Sequence, residues 1–256
     1  MAFRYSPKII TDGLHFSIDP ANHKSYPGSG TSVSDLVARN TSPVLTNGAG
    51  YSSINGGVFS FDGVDDFLLV SSNGKTSGFN TAAYTIELWV YLNPTIADIN
   101  STVWSFDYTS HVTPYYAQNF RYISATDSTR RYQAGWNNNG TYTGGGANAL
   151  GSANFTGIAN QWHHLVFSFR NGSQKIYTNS NVIASSTRAN TITYYDQEVW
   201  IGRANYTNGY FGGYIGPVNF YSRELSSTEV AYNFNVHRKR FGIWVHQAAQ
   251  ILLKMD

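Results

Sequence analysis

Alternating apolar and polar residues recur along this chain, and the longest such run covers residues 84–92. Every second side chain of that run is aliphatic, namely Ile86, Leu88, Val90 and Leu92. Because the side chains of a strand point to opposite faces in turn, this period of two predicts a strand with one face on a core. The same alternation predicts strands at 164–169 and 211–221. Shorter runs predict strands at 13–18, 58–61, 67–70, 102–108, 120–124, 175–178 and 199–202.

Residue pairs that favour tight turns separate these runs. They are Asp12-Gly13, Asp62-Gly63, Asn73-Gly74 and Asn171-Gly172. Many short strands joined by such turns are typical of a sandwich, and all-β sandwiches of about 200 to 250 residues commonly form one domain. A propeller or solenoid would repeat with a period of roughly 20 to 50 residues, and no such repeat occurs. The pattern therefore predicts one all-β sandwich.

The end of the chain has helical signals. Ser226 and Glu229 form a capping box, which predicts a short helix to about Val236. Beyond the sandwich domain, 1–243, the tail 244–256 spaces its apolar residues as an amphipathic helix does. Its candidate docking residues are Trp244, Ala248, Ile251 and Leu252. This tail is expected either to pack on its own sandwich or to dock on a neighbouring chain.

The composition favours a soluble protein with a neutral polar surface. Only 12% of the 256 residues are charged and the net charge is +2, whereas about a quarter is usual. The one dense basic run, 238–240, reads as a solvated segment and is too small for a nucleic-acid-binding face. Cysteine is absent, which excludes disulfides and thiolate metal sites. Since no segment resembles a signal peptide or a membrane span, we expect no membrane partner and no nucleic-acid partner.

Five segments resemble, in the same order, the motifs of laminin-G-like and concanavalin A-like jelly-roll domains. They are residues 61–67 (FDGVDDF), 85–91 (TIELWVY), 162–167 (WHHLVF), 200–203 (WIGR) and 211–226 (FGGYIGPVNFYSRELS). The resemblance covers roughly residues 10 to 226, and the shared order makes it specific. It implies an all-β, antiparallel, two-sheet jelly-roll sandwich, followed here by a short C-terminal helical tail.

Both ends of the domain resemble jelly-roll proteins found in tailed bacteriophages. The similar segments are residues 13–19 and 22–31 at the start and 225–243 at the end. The resemblance implies a virion structural protein on the capsid or tail surface, made in the host cytoplasm. Its expected partners are other virion proteins and further copies of this chain.

Calcium is the cofactor that this resemblance raises. Many relatives carry an acidic pair after the strand 213–215, where this chain has Gly-Pro at 216–217. Ca²⁺ takes six to eight oxygen ligands, so the missing pair argues against a site. Asp62, Asp65 and Asp66 remain candidate ligands, but carboxylates beside glycine in a turn commonly cap backbone amides. We therefore predict no metal and no other cofactor, with calcium as the alternative.

Candidate catalytic residues are few. Glycosidases of this fold carry an ExDxxE motif on one strand, and that motif is missing here. The four glutamates are Glu87, Glu198, Glu224 and Glu229, and none has an acidic partner at strand spacing. The adjacent His163 and His164 point to opposite faces of a strand and cannot chelate one ion. We predict no enzymatic activity, with a glycoside hydrolase as an alternative.

A stretch without charged residues, 132–169, contains the candidate carbohydrate-binding residues. They are Trp136, Asn137, Asn138, Asn139 and Tyr142. Aromatic rings pack on the C–H faces of sugars, amides hydrogen-bond sugar hydroxyls, and loops on a rigid sandwich commonly carry binding sites. An exposed polar loop or a subunit contact is the interpretation that we favour, and sugar binding is the alternative.

Taken together, these features predict a phage virion structural protein. Weak, multivalent adhesion to host or environmental glycans is a hypothesis for a secondary role. A carbohydrate-binding lectin-like module or a receptor-binding adhesin is the alternative.

Overall fold

The structure, a computed structural model, describes residues 8–37, 41–93, 101–107, 116–123, 131–136, 150–151, 159–187, 189, 192, 196–204 and 209–244. The strands in these residues are β1 (Leu14–Ile18), β2 (Val44–Thr46), β3 (Gly50–Ser52), β4 (Val58–Asp62), β5 (Phe67–Ser71), β6 (Tyr84–Leu92), β7 (Thr102–Asp107), β8 (Tyr116–Ile123), β9 (Arg131–Trp136), β10 (Leu150–Gly151), β11 (Trp162–Arg170), β12 (Ser173–Thr178), β13 (Asn181–Ser186), β14 (Glu198–Ile201) and β15 (Gly212–Tyr221). A 3₁₀ turn covers Ile54–Gly56, and helix α1 covers Ser227–His237.

The strands form two antiparallel sheets. The first sheet has the order β13-β12-β11-β6-β15-β4-β3, with β1 also paired to β15. The second sheet has the order β10-β9-β8-β7-β14-β5-β2. Neighbours such as β6 and β15 come from distant parts of the chain, as in a jelly roll. The predicted two-sheet antiparallel sandwich is confirmed.

The core lies between the two sheets and is rich in aromatic rings. The ring of Phe220 lies 4.9 Å from Phe79, 5.8 Å from Tyr84 and 5.7 Å from Trp104, measured between centroids. Each such pair adds about 0.5–1.5 kcal/mol beyond the burial of its area. The aliphatic residues of β6 also face this core, as their alternation predicts.

The outer face of the first sheet is partly covered. Trp89 points away from the core yet is only 1% exposed, because Phe234 and Phe241 stack on it with centroids 5.8 and 4.3 Å away. Gly216 makes room for this stack, since a Cβ there would lie 2.8 Å from the Phe241 ring. Strand β6 is therefore buried on both faces along most of its length, and the next outward residue, Tyr91, lies at the edge of the cover.

Helix α1 begins at the predicted capping box. The Ser226 hydroxyl accepts from the Glu229 amide at 3.3 Å, and the Glu229 carboxylate accepts from the Ser226 amide at 2.8 Å. Arg223 donates to the same carboxylate at 2.6 Å and, against partial burial, lowers the pKa of Glu229 to about 2. No helix in the described part of the chain is long and apolar enough to cross a membrane.

Part of the basic run after α1 is not solvated, contrary to the sequence interpretation. Arg240 pairs with Asp19 at 2.8 Å and donates to the carbonyls of Asn55 and Gly57, each at 2.6 Å. Its side chain is 18% exposed. Arg240 thereby fixes the chain beyond α1 to the end of β1 and to the 3₁₀ turn.

Candidate functional site

The residues predicted to bind sugars lie mostly outside the described residues. Trp136 is the last residue of β9, where its backbone pairs with Gln118 of β8. The other four candidates, Asn137, Asn138, Asn139 and Tyr142, fall in residues 137–149, which the structure does not describe. Their role in sugar binding stays a prediction.

The predicted docking residues begin where the described chain ends. Trp244 is 67% exposed, and the Lys239 ammonium lies 6.0 Å from its ring centroid. Ala248, Ile251 and Leu252 lie outside the described residues. An exposed indole suits a protein contact, and docking of the tail stays a prediction.

Glu87 lies in a buried polar cluster beneath α1. Its carboxylate is 3.0 Å from His164 Nε2 and accepts from Asn233 Nδ2 at 2.7 Å. Asn233 also donates to the Tyr221 hydroxyl at 3.0 Å and accepts from the Ile10 amide at 2.8 Å. The four side chains are at most 1% exposed. Glu87 therefore links the first sheet, the helix and the N-terminal segment, and a polysaccharide cannot reach it.

The adjacent histidines point to opposite faces of the first sheet, as predicted. His163 faces the core, where burial lowers its pKa to about 4. His164 faces α1, and its Nδ1 is buried without a partner. A ring that carries its proton on Nε2 donates to Glu87 and leaves Nδ1 as a lone pair, so the geometry favours this tautomer.

The turn between β4 and β5 gathers three carboxylates. Asp62 accepts from the amides of Val64 and Asp65 at 2.8 and 3.4 Å, and Asp66 accepts from the Asp62 amide at 2.9 Å. The predicted capping of backbone amides is confirmed. One oxygen of each aspartate lies within 4.8 Å of the others. Burial, together with the charges of Asp62 and Asp65, raises the pKa of Asp66 to about 6.

Calcium at this turn stays an untested alternative. Asp62 and Asp66 already use carboxylate oxygens for backbone amides. Since Ca²⁺ takes six to eight oxygens, an ion here would need several ligands from outside the three aspartates.

An open cavity of about 400 Å³ lies beside this turn, and we call it the acidic pocket. It is lined by Asn47, Gly48, Ser60, Phe61, Asp62, Asp66, Asn93, Gly213 and Tyr214. Gly48 has a φ of +107°, and a Cβ there would lie 3.2 Å from Asp66 Oδ1. Among the described residues, the lining contains no lysine or arginine, so the charged groups described there are all hydrogen-bond acceptors.

Three aromatic side chains lead from the acidic pocket across the first sheet, and we call them the aromatic row. Tyr214, Tyr91 and Trp162 lie directly opposite one another on β15, β6 and β11. The Tyr214 and Tyr91 ring centroids are 5.8 Å apart, and those of Tyr91 and Trp162 are 5.7 Å apart. All three are partly exposed, because the cover over the outer face ends beside them.

The two features suit a saccharide. Sugar C–H faces pack on aromatic rings, while sugar hydroxyls donate to carboxylate and amide oxygens. Ligand pockets commonly have volumes of about 300–1,000 Å³, apolar walls and a few polar groups. The aromatic row supplies the apolar surface, and Asp62 and Asp66 supply the acceptors.

Sequence reasoning missed the aromatic row. One signal was present, since Tyr91 stands on the face of its strand opposite the aliphatic residues. The pairing of β11, β6 and β15, which brings Trp162 and Tyr214 beside Tyr91, joins segments far apart in the sequence. Only the tertiary structure reveals that neighbourhood.

A model of the Laminin_G_3 family, described as the concanavalin A-like lectin/glucanases superfamily, matches residues 61–231. The match covers more than half of the 256 residues, including the aspartate turn and the three strands of the aromatic row. No curated protein matches the chain in sequence.

Solved structures share the fold at low sequence identity. One of them is domain 4 of AbnA, a GH43 extracellular arabinanase from Geobacillus stearothermophilus, in complex with arabinotriose. Its TM-score is 0.63 at 16% identity, and the match covers 88% of this chain and 98% of that domain. Trypanosoma rangeli sialidase in complex with sialic acid has a TM-score of 0.61 at 14% identity, and the match covers 89% of this chain and 33% of the sialidase. The botulinum neurotoxin type G receptor binding domain has a TM-score of 0.61 at 14% identity, and the match covers 88% of this chain and 51% of the neurotoxin chain. The chain thus spans about a third of the sialidase, and these likenesses show the fold alone.

Proposed function

Because the chain belongs to the concanavalin A-like lectin/glucanases superfamily, we propose that it is a carbohydrate-binding protein without enzymatic activity, displayed on the capsid or tail of a bacteriophage particle. The observation that carries the proposal is the aromatic row, which leads into the acidic pocket. The ligand is a saccharide whose rings pack on Tyr91 and Tyr214 and whose hydroxyls donate to Asp62 or Asp66.

Two structures of the same fold support binding as the activity. The arabinanase domain is in complex with arabinotriose, and the neurotoxin domain is named for receptor binding. A weak single site suffices on a particle that carries many copies, because multivalent contact multiplies affinity.

The geometry of the acids supports binding rather than hydrolysis. Glycosidases hold an acid and a second carboxylate about 5–5.5 Å apart for retention or about 6.5–9.5 Å apart for inversion. The carboxylates of Asp62 and Asp66 instead accept hydrogen bonds from the backbone of their own turn. Glu87 is enclosed beneath α1.

The resemblance of both ends of the domain to tailed-phage jelly-roll proteins supports the virion location. In this proposal the tail 244–256 attaches the sandwich to other virion proteins or to further copies of the chain, with Trp244 as the first contact. The exposure of that indole supports the attachment.

A glycan array followed by calorimetry tests the binding proposal. We expect saturable binding of at least one neutral oligosaccharide, weakened at least tenfold by Tyr214→Ala or Tyr91→Ala. Tyr232→Ala is the matched control, because Tyr232 is an exposed tyrosine on α1, outside the row. Unchanged affinity in both row variants, or loss with Trp136→Ala alone, would contradict the assignment to this site. Release of reducing sugar by the wild-type chain would contradict the absence of enzymatic activity.

Particle assembly tests the virion location separately. Virions produced with the chain truncated after Ile243 are expected to lack it, while the truncated sandwich keeps its glycan binding. Normal incorporation of the truncated chain would contradict attachment through the tail.

A further inference from the structure

A second surface, on the outer face of the second sheet, centres on Arg203. Its guanidinium carbon lies 4.2 Å from the ring centroid of Trp200, 4.7 Å from that of Phe67 and 5.7 Å from that of Tyr210. Trp200 and Phe67 point outward because their neighbours Ile201 and Leu68 face the core. The aromatic row lies on the first sheet, on the other side of the sandwich. The acidic pocket is closer, because Asp66 in its lining directly precedes Phe67.

The backbone holds Arg203 in this position. Gly202 follows β14 with a φ of +84°, a conformation that turns the chain back and that other residues rarely adopt. The Ser105 hydroxyl then donates to the Arg203 carbonyl at 2.7 Å. The guanidinium therefore lies over a rigid aromatic surface, and less side-chain entropy remains to be lost when it binds a ligand.

Arg203 differs from the other arginines whose side chains the structure describes. Each of the others has a hydrogen-bond acceptor, in the pairs Arg121–Gln133, Arg170–Glu224, Arg223–Glu229, Arg238–Asn235 and Arg240–Asp19. Arg203 has no acceptor among the described residues, and its Nε is buried without one. The acid near it, Glu198, instead accepts from the Trp200 indole at 2.9 Å.

The charge of Arg203 interacts with that of Glu198, but its guanidinium has no hydrogen-bond acceptor among the described residues. A cation that has lost part of its water gains more from an anion than a fully hydrated cation does. The two terminal amino groups of Arg203 are not among the buried unpaired atoms, so they reach solvent. One N–H from each can donate to one oxygen of a carboxylate, in the two-pronged geometry that favours arginine over lysine. Tyr210 is partly exposed beside them, and aromatic side chains of this kind pack against sugar rings.

We propose that Arg203, held over Trp200, Phe67 and Tyr210, forms a second binding site that takes the carboxylate of an acidic monosaccharide unit. The carboxylate bridges the two terminal amino groups, and the sugar ring lies against Tyr210. This site takes an anionic unit, whereas the charged groups described in the acidic pocket are carboxylates, which favour neutral units. The two sites therefore read different parts of a glycan.

Titration of the full chain with galacturonate at about 0.15 M salt tests the site. The readout is the NMR signal of the Arg203 side-chain N–H together with calorimetry. We expect a saturable shift of that signal with galacturonate, none with galactose, and at least tenfold weaker binding in Arg203→Met. Arg203→Lys keeps the charge over the rings but loses the paired terminal amino groups that donate two parallel hydrogen bonds. We expect this variant to bind galacturonate several-fold more weakly than wild type. Arg170→Met is the matched control.

Three outcomes would overturn the proposal. They are equal binding of galactose and galacturonate, wild-type affinity in both Arg203 variants, and inorganic sulfate binding as tightly as galacturonate. If Arg203→Met fails to fold, Arg203→Lys decides alone. Tyr214→Ala is expected to leave galacturonate binding unchanged, so failure of this site is distinguishable from failure of the aromatic row.

Discussion

The buried cluster beneath α1 makes a quantitative prediction for Asn233→Ala. The side chain of Asn233 bonds to the Glu87 carboxylate, the Tyr221 hydroxyl and the Ile10 amide at 2.7, 3.0 and 2.8 Å. A hydrogen bond to a charged group contributes about 1.5–3 kcal/mol and a neutral one about 1 kcal/mol. Because Glu87 stays buried with one donor fewer, we expect the free energy of unfolding to fall by about 3–5 kcal/mol.

Urea unfolding followed by tryptophan fluorescence measures this loss, with Asn235→Ala as the control on the same helix. Asn235 is exposed, and its side chain bonds to Ala231 and Arg238 among the described residues, so its replacement should change stability by less than about 0.5 kcal/mol. Hydrogen exchange at the Ile10 amide should also accelerate in Asn233→Ala. A loss of stability below about 1 kcal/mol, or one equal to the control, would refute the assigned role of the cluster.

Three further predictions concern the aspartate turn, the cap of α1 and Gly213 in the lining of the acidic pocket. The pKa of Asp66 is about 6 in the folded state against an ordinary 3.8. Its contribution to stability is therefore complete below about pH 4 and is lost as the pH rises through 6. Thermal melts of Asp66→Asn at these pH values should lack this loss. The pKa of Glu229 is about 2 in the folded state against an ordinary 4.5. Its contribution to stability is therefore complete above pH 4.5 and is lost as the pH falls through 2. Melts of Glu229→Gln should lack that loss, and a wild-type dependence of the melting temperature on acid pH in this variant would contradict the assignment. Gly213→Ala would place a Cβ in steric conflict with the Tyr91 carbonyl oxygen, so we expect a destabilisation of more than about 3 kcal/mol in urea, and a wild-type midpoint would be inconsistent with the described backbone.

The alternation of side chains predicted the strong strands well. Residues 84–92 form β6 with the predicted bounds and the predicted core face. Five strands, β2, β3, β9, β10 and β13, were not predicted. Strands β2, β3 and β10 have only two or three residues, and all six residues of β13 are exposed or partly exposed, so no apolar alternation marks them.

At the candidate site, the feature formed by residues close in sequence could be predicted, whereas the features formed by strand pairing and helix packing could not. The aspartate turn was visible in the sequence because its hydrogen bonds join residues at most four positions apart. The aromatic row was not, because Trp162 and Tyr214 become neighbours of Tyr91 only through strand pairing. Burial of Glu87 was equally hidden, since it depends on α1 folding back over the sheet.

A crystal structure of the protein with the oligosaccharide that binds best on the array tests the central claim most directly. The account predicts a sugar ring packed on Tyr91 or Tyr214, with a hydroxyl oxygen about 2.7 Å from a carboxylate oxygen of Asp62 or Asp66. A sugar bound elsewhere, with the aromatic row and the acidic pocket empty, would contradict it.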